Sequence, residues 1–196
     1  MKSRPIYPGL TWAPAAARHL MVAEGEGAGA LVDLFAEAPE GAAGRSEILY
    51  TAGASAGSDP TSRLSALGAR VVHGFPTVET LLFRLTSDLS RADMGLRLYV
   101  AGSESFLGRV VALAQTHGID PLSVIGELRG SLARRVQCVH CKGMTEGVTT
   151  SIVTCAHCGL SLFVRDHFSR RLGAFQGVCV DAEVPGEVPA PEVLYP

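Results

Sequence analysis

The 196-residue chain predicts an α/β fold: a parallel sheet with helices on both faces, then a four-cysteine ribbon and an extended tail. Three observations carry this. Short apolar runs alternate with helix-period segments up to about residue 130, the pattern of a parallel sheet with crossover helices. Four of the five cysteines then fall in two Cys-x-x-Cys pairs, "CVHC" and "CAHC". The last stretch, "DAEVPGEVPAPEVLYP", holds four prolines and four acids, too stiff and polar for a core.

In chain order, residues 1–18 show no strong period and read as an extended lead-in. His19 to Ala23 is a short apolar strand, followed by a glycine turn and a helix whose Leu31, Leu34 and Phe35 share one face. "SEILYTAG" is a second strand ending in a small-residue loop with Gly53, Gly57 and Pro60. "ARVVHGF" reads as a third, buried strand. "TVETLLFRLTSDLSRA" reads as a helix capped by Thr77, with Leu81, Leu82 and Leu85 inward. "LRLYVAG" makes a fourth strand, Ser103 caps the next helix, Gly118 closes it, and "SVIGEL" supplies a fifth strand. Four segments follow: lead-in 1–18, α/β domain 19–130, ribbon with a basic aromatic segment 131–180, and tail 181–196. Ligands in such sheets bind at the carboxyl ends of the strands.

Composition narrows the function classes. Hydrophobic residues at 47% and charged residues at 18% describe a globular chain. No apolar run approaches the roughly 20 residues that span a bilayer, and "MKSRPIYPGLTW" lacks a secretory apolar core. The expected location is cytoplasmic, where paired cysteines bind metal rather than form disulfides. The net charge of −2 is unevenly spread: Arg129 to Arg171 carries seven Lys/Arg against two Asp/Glu. A basic ribbon on an acidic chain points to a partner, or to a solvated basic face.

Cys138-x2-Cys141 and Cys155-x2-Cys158 form two knuckles that can close a tetrahedron of sulfurs. Four thiolates suit zinc, mononuclear iron or an iron-sulfur cluster. With four protein ligands, zinc has no site for water and would be structural, making this a zinc ribbon. Gly159 after the second pair resembles rubredoxin, whereas Lys142 follows the first. The β-branched "MTEGVTTSIVT" suits two antiparallel strands with a turn at Gly147. His140 and His157 read as bystanders, and Cys179 as a buried small side chain.

Gly25, Gly27 and Gly29 open the first helix as a phosphate-binding turn does. Glu24 and Glu26 interrupt the triad, and their charge opposes a phosphate more than one helix terminus, contributing about 0.3–1 kcal/mol, attracts it. The turn therefore reads as a vestigial site that binds no nucleotide.

The order of elements resembles the nicotinamide-binding half of the ferredoxin reductase family, in "MVAEGEGAGALVDLF", "ILYTAGASAG" and "LYVAGSESFLGRVVALAQTHGIDP". Ala101-Gly102-Ser103 stands where that family usually has Cys-Gly-Pro, and these residues include no flavin-binding barrel. The later stretch "CVHCKGMTEGVTTSIVTCAHCGLSLFVRDHFSRRLGAFQGVCVDAEVPGE" resembles the small subunit of bacterial dimethylamine monooxygenase, and the likeness extends over about residues 19 to 188. It implies a subunit of an NADPH- and O2-dependent complex that demethylates dimethylamine to methylamine and formaldehyde. It places haem on a large catalytic subunit, and FMN and an iron-sulfur cluster on a reductase subunit.

Within the ribbon, Arg165, His167, Phe168, Arg170, Arg171 and Phe175 combine arginine with aromatics, the composition of an interface centre. They read as the partner-binding set, against the alternative of an ordinary helix with its arginines solvated. No general base stands beside a nucleophile, so no catalytic residue is expected. The expectation is a noncatalytic subunit holding the haem and reductase subunits together, with no membrane and no nucleic acid as partner. Two rivals stand: a small NAD(P)-dependent reductase or iron-bearing electron relay, and a nucleic-acid-binding zinc ribbon.

Overall fold

The computed structural model describes residues 3–53 and 60–196, so Gly57 of the predicted loop lies outside the described residues. Five strands build the first sheet: β1 (Arg18–Glu24), β2 (Ser46–Thr51), β3 (Val71–Phe75), β4 (Leu96–Gly102) and β5 (Val124–Leu128). All their pairings are parallel, in the order β3-β2-β1-β4-β5. This is the order of a dinucleotide-binding sheet, with its reversal point between β1 and β4.

Strand alternation assigns the two faces. Leu20 and Val22 of β1 meet Leu81 and Leu85 of α3 (Val78–Leu89) and Leu107 and Val110 of α4 (Glu104–Thr116) on one side. Met21 and Ala23 meet Leu31 and Leu34 of α1 (Gly27–Ala36) and Leu64 of α2 (Thr61–Ser65) on the other. Helices therefore cover both faces, as the sequence predicts. Thr77 accepts from the Thr80 N–H and caps α3, and Ser103 accepts from the Phe106 N–H and caps α4. One expectation is corrected: β3 is only half-buried, because it is an edge strand with β2 as its single neighbour. Leu82 is likewise partly exposed, at the margin of the α3 apolar face.

The lead-in is extended, and it packs. The Trp12 indole N–H donates to the Leu34 carbonyl at 2.6 Å, and its ring stands edge-on to Phe35 and His19. The Gly9 N–H donates to the Gly126 carbonyl, extending the chain along β5.

The second sheet comprises β6 (Arg134–Cys138), β7 (Met144–Val148), β8 (Ile152–Thr154), β9 (Ser161–Ser169) and β10 (Ala174–Cys179). Its order is β7-β6-β10-β9-β8. The sequence predicted that residues 144–154 pair with each other, and they do not: β7 pairs with β6, β8 pairs with β9, and the two lie at opposite edges. Each knuckle joins its own two strands, which leaves the segment between them no partner of its own. Val136, Val164, Phe168 and Phe175 form the core of this sheet.

The tail, too stiff and polar in sequence for a core, nevertheless docks its end on this chain: the Leu194 and Tyr195 N–H groups donate to the Thr149 carbonyl, and the Leu132 N–H donates to the Pro196 carbonyl at 2.7 Å. Tyr195 is buried in the second core.

The two sheets meet along α4. Gly108 and Gly173 touch backbone to backbone, and a Cβ at Gly173 would lie 2.4 Å from the Gly108 carbonyl oxygen. Gly173 also has φ of +59°, so both its conformation and its space exclude a side chain. Beside this joint Glu104 is 2% exposed, and neither carboxylate oxygen has a hydrogen-bond partner among the described residues. Burial raises its pKa, while Arg4, at 3.9 Å, and Arg134 draw it back down.

A carboxyl whose pKa is higher folded than unfolded stabilises the fold below its unfolded value, and that contribution is lost as pH rises through its folded value. Glu104→Gln is therefore expected to show a stability advantage over the native chain that grows as pH rises from about 4.5. Urea unfolding of both proteins at pH 4 and pH 7 measures it; an advantage that shrinks toward pH 7 contradicts the assignment.

Candidate metal centre

Two matching turns build the thiolate cage. In the first, the Lys142 N–H donates to the Cys138 carbonyl and the Cys138 N–H to the Gly143 carbonyl, both at 3.0 Å. In the second, the Gly159 N–H donates to the Cys155 carbonyl at 3.1 Å and the Cys155 N–H to the Leu160 carbonyl at 2.9 Å. The residue after each second cysteine is left-handed: Lys142 has φ of +64° and Gly159 +75°. Lys142 thus does what Gly159 does in its mate, and its ammonium donates to the Val139 carbonyl at 2.6 Å.

These turns bring all four Sγ atoms within 4.8 Å of one another. Cys138 and Cys158 are 3.8 Å apart, and Cys141 and Cys155 are 3.7 Å apart. A metal–sulfur bond of about 2.3 Å in a tetrahedron gives edges of about 3.8 Å. The donors therefore fit one ion, whereas a multinuclear cluster would spread its thiolates apart. Zinc and single iron make the same demand on this geometry.

The local field prepares a thiolate. Backbone N–H groups of Cys158 and His157 bring Cys155 down to about 6. At Cys158 the Leu160 amide pulls downward, but burial and the neighbouring sulfurs win and push it up to about 12. Four crowded sulfurs share protons unevenly until a cation replaces them.

His157 is more than a bystander: its Nε2 lies 2.8 Å from the Met144 carbonyl, bracing the second knuckle against β7. A Cβ on Gly143 would lie 2.4 Å from the His157 ring, which explains the glycine after Lys142. His140 is exposed. Cys179 is partly exposed rather than buried, because it ends β10 and its thiol donates to the Asp181 carboxylate at 3.1 Å.

The predicted partner-binding residues separate. Phe168 and Phe175 point inward and pack edge to face at 5.0 Å, so they are core, not interface. The segment is a β-hairpin, and strand alternation sends every second side chain into the sheet. Arg165 and His167 are exposed on the outward row of β9 with Phe163. Arg170 borders a cavity of about 370 Å³ with Tyr7 and Leu107, while Arg171 lies beside α3 and α4.

Sequence reasoning missed Arg134. It is fully buried, its guanidinium 3.8 Å from the Phe175 ring centre and 3.7 Å from that of Tyr195, and it donates to Asp166 at 2.6 Å. A period-2 strand marks Arg134 as inward, but a charge there looks like an outward residue.

At the crest of the first sheet, Gly25 has φ of +52°, and Gly27 lets α1 press on β4, since its Cβ would lie 2.1 Å from the Ala101 carbonyl. Gly29 faces open space. The Glu24 carboxylate accepts from the Ser103 hydroxyl at 2.6 Å, and a Cβ on Gly53 would lie 2.8 Å from it. It stands at the reversal point, where a dinucleotide sheet receives its pyrophosphate. A cleft of about 590 Å³ opens there, lined by Glu24, Glu26, Arg109 and Arg129. Arg109 is bound to Glu79 at 3.0 Å, and Arg129 to Glu127 at 2.6 Å and Asp33 at 2.9 Å. Both cations are committed to carboxylates.

Fold and site together define a ribbon-bearing α/β protein: a sheet of dinucleotide-binding topology joined to a four-cysteine cluster whose spacing fits one metal ion. Family comparison makes this specific. Residues 1–124 match the N-terminal domain, and residues 135–178 the C-terminal domain, of the family described as dimethylamine monooxygenase subunit DmmA-like. The chain belongs to that family. It is 34% identical over 191 residues to the heme-dependent oxidative N-demethylase delta subunit of Ectopseudomonas mendocina (strain ymp), covering 93% of this chain and 91% of that one.

Two solved structures overlap it more loosely. The Amycolatopsis cytochrome P450 reductase GcoB aligns at 12% identity and TM-score 0.44, over 57% of this chain and 37% of its own. An intact type IV self-sufficient cytochrome P450 monooxygenase aligns at 20% identity and TM-score 0.46, over 83% of this chain and 21% of its own. Among the described residues no helix is long and apolar enough to cross a membrane.

Proposed function

We propose that this chain is a noncatalytic subunit of a cytoplasmic, haem-dependent oxidative N-demethylase acting on dimethylamine with NADPH and O2. It holds a haem-bearing catalytic subunit and a reductase subunit carrying FMN and an iron-sulfur cluster. In this reading residues 19–130 are a reductase-like lobe without nucleotide, residues 131–180 a ribbon whose Cys138, Cys141, Cys155 and Cys158 hold structural zinc, and residues 181–196 a tail. The likeness to a named delta subunit over nearly the whole chain carries the reading. The crest of the first sheet supports the noncatalytic part: Glu24 and Glu26 line its cleft, and the neighbouring arginines are paired with Glu79, Glu127 and Asp33.

The test has two arms. Co-expression with the haem and reductase subunits is expected to yield one assembly containing this chain; migration of the chain alone refutes the subunit role. Titration of the isolated chain with NADPH is expected to show no saturable binding up to about 1 mM, far above ordinary cofactor affinity. Saturation below that level would instead assign it a reductase role. Metal analysis of the same sample is expected to find one zinc per chain and no visible absorption, while a red protein means iron.

A further inference from the structure

An exposed surface between the α/β lobe and the ribbon combines an unburied aromatic with an open arginine. Phe83, on the outer face of α3, is 82% exposed. Beside it runs a shallow groove between α3 and α4, floored by Leu82, Ala112 and Leu113. Three arginines from three different elements line it: Arg109 of α4, Arg135 of β6 and Arg171 of the β9–β10 turn. Glu79 is the one carboxylate in the lining, and it is bound to Arg109. Arg135 reaches Glu146 at 3.0 Å, and Arg171 has no ion pair among the described residues.

We infer that this groove is the docking surface for an acidic segment of a partner polypeptide, with Phe83 as its apolar anchor and Arg171 as its open cation. The inference rests on the subunit role proposed above and adds the surface and the partner's chemistry. Charge complementarity selects the occupant: with Arg109 set against Glu79 and Arg135 against Glu146, the groove keeps a net positive charge carried by Arg171, and arginine beside an exposed aromatic is the composition in which binding energy concentrates. The basic hairpin buries its own Phe168 and Phe175, so the aromatic companion of its Arg171 comes from the α/β lobe. The surface therefore exists only while lobe and ribbon keep their mutual placement through Gly108 and Gly173.

The experiment uses this chain co-expressed with the haem and reductase subunits, with affinity measured by titrating this chain into the two-subunit remainder. Phe83→Ala and Arg171→Glu are each expected to weaken binding on the order of tenfold or more, with melting temperatures unchanged because both side chains are exposed. Native binding is expected to weaken with salt, and Arg171→Glu to flatten that dependence. Arg165→Glu, on the outward row of β9, is expected to bind as the native chain does. Native affinity in both groove variants overturns the inference, and so does a loss confined to Arg165→Glu. If sedimentation shows that the chain alone dimerises and Phe83→Ala abolishes the dimer, the groove is a self-interface and the inference falls. Failure of the native chain to bind the other subunits removes the subunit role itself.

Discussion

Cys138→Ser is expected to lose the ion proposed for the cage and, with it, the order of the entire second sheet. The ribbon core is small: Val136, Val148, Val164, Phe168, Phe175 and Tyr195 are its buried apolar members, with Leu162 beside the sulfurs. Structural zinc contributes roughly 10–16 kcal/mol of apparent binding energy in peptides of this kind, more than such a core supplies alone. Removing one of four sulfurs opens the cage to water and forfeits most of it. The metal content of the variant is expected to fall below about a tenth of one ion per chain. Amide exchange is expected to accelerate through β6–β10 while β1, β2 and β4, each paired on both sides, remain protected. Chelation of the native protein is expected to give the same pattern. A serine variant with full metal content and a protected ribbon would refute the cage.

Arg134→Ala carries the second largest expected effect. The guanidinium lies between Phe175 and Tyr195 and pairs with Asp166, while its Nε and Nη1 meet no hydrogen-bond partner among the described residues. Its contribution therefore comes from two ring faces and one ion pair. Truncation leaves a void between the rings and takes the Arg134 guanidinium away from Asp166, for a loss of about 3–5 kcal/mol, the range for breaking a buried pair. Because Asp166 is 40% exposed, the lower end is expected. Arg134→Lys restores the charge without the planar fork and recovers little. Urea unfolding reads the loss. Amide exchange at Tyr195, whose N–H is bonded to the Thr149 carbonyl, reads release of the tail. A loss under about 1 kcal/mol with Tyr195 still protected contradicts this account.

The lobe was legible because its signals are local. The continuous apolar run from Leu20 to Ala23, the Thr77 and Ser103 caps and the left-handed Gly118 each act within a few residues. The cage was legible for the same reason, since each knuckle is closed by bonds spanning four or five residues. The second sheet was not, because its pairings are set by distant partners: β6 takes its parallel neighbour from β10, and Val136 faces Phe175. Without that sheet the basic aromatic segment could not be divided into Phe168 and Phe175 inside and Arg165, His167, Arg170 and Arg171 outside. The tail had no apolar period, and its docking rests on distant partners, the Thr149 carbonyl and the Arg134 guanidinium over the Tyr195 ring. Glu24 was readable as an obstacle to phosphate, but its seat against Ser103 required the β1–β4 neighbourhood.

The order β7-β6-β10-β9-β8 puts the last strand of the ribbon in its middle. During synthesis the four sulfurs emerge before β10, so two short arms can be clipped together while the central slot between them is still vacant. Until Cys179 has left the ribosome, β6 and β9 each present a bare edge to every other nascent chain nearby.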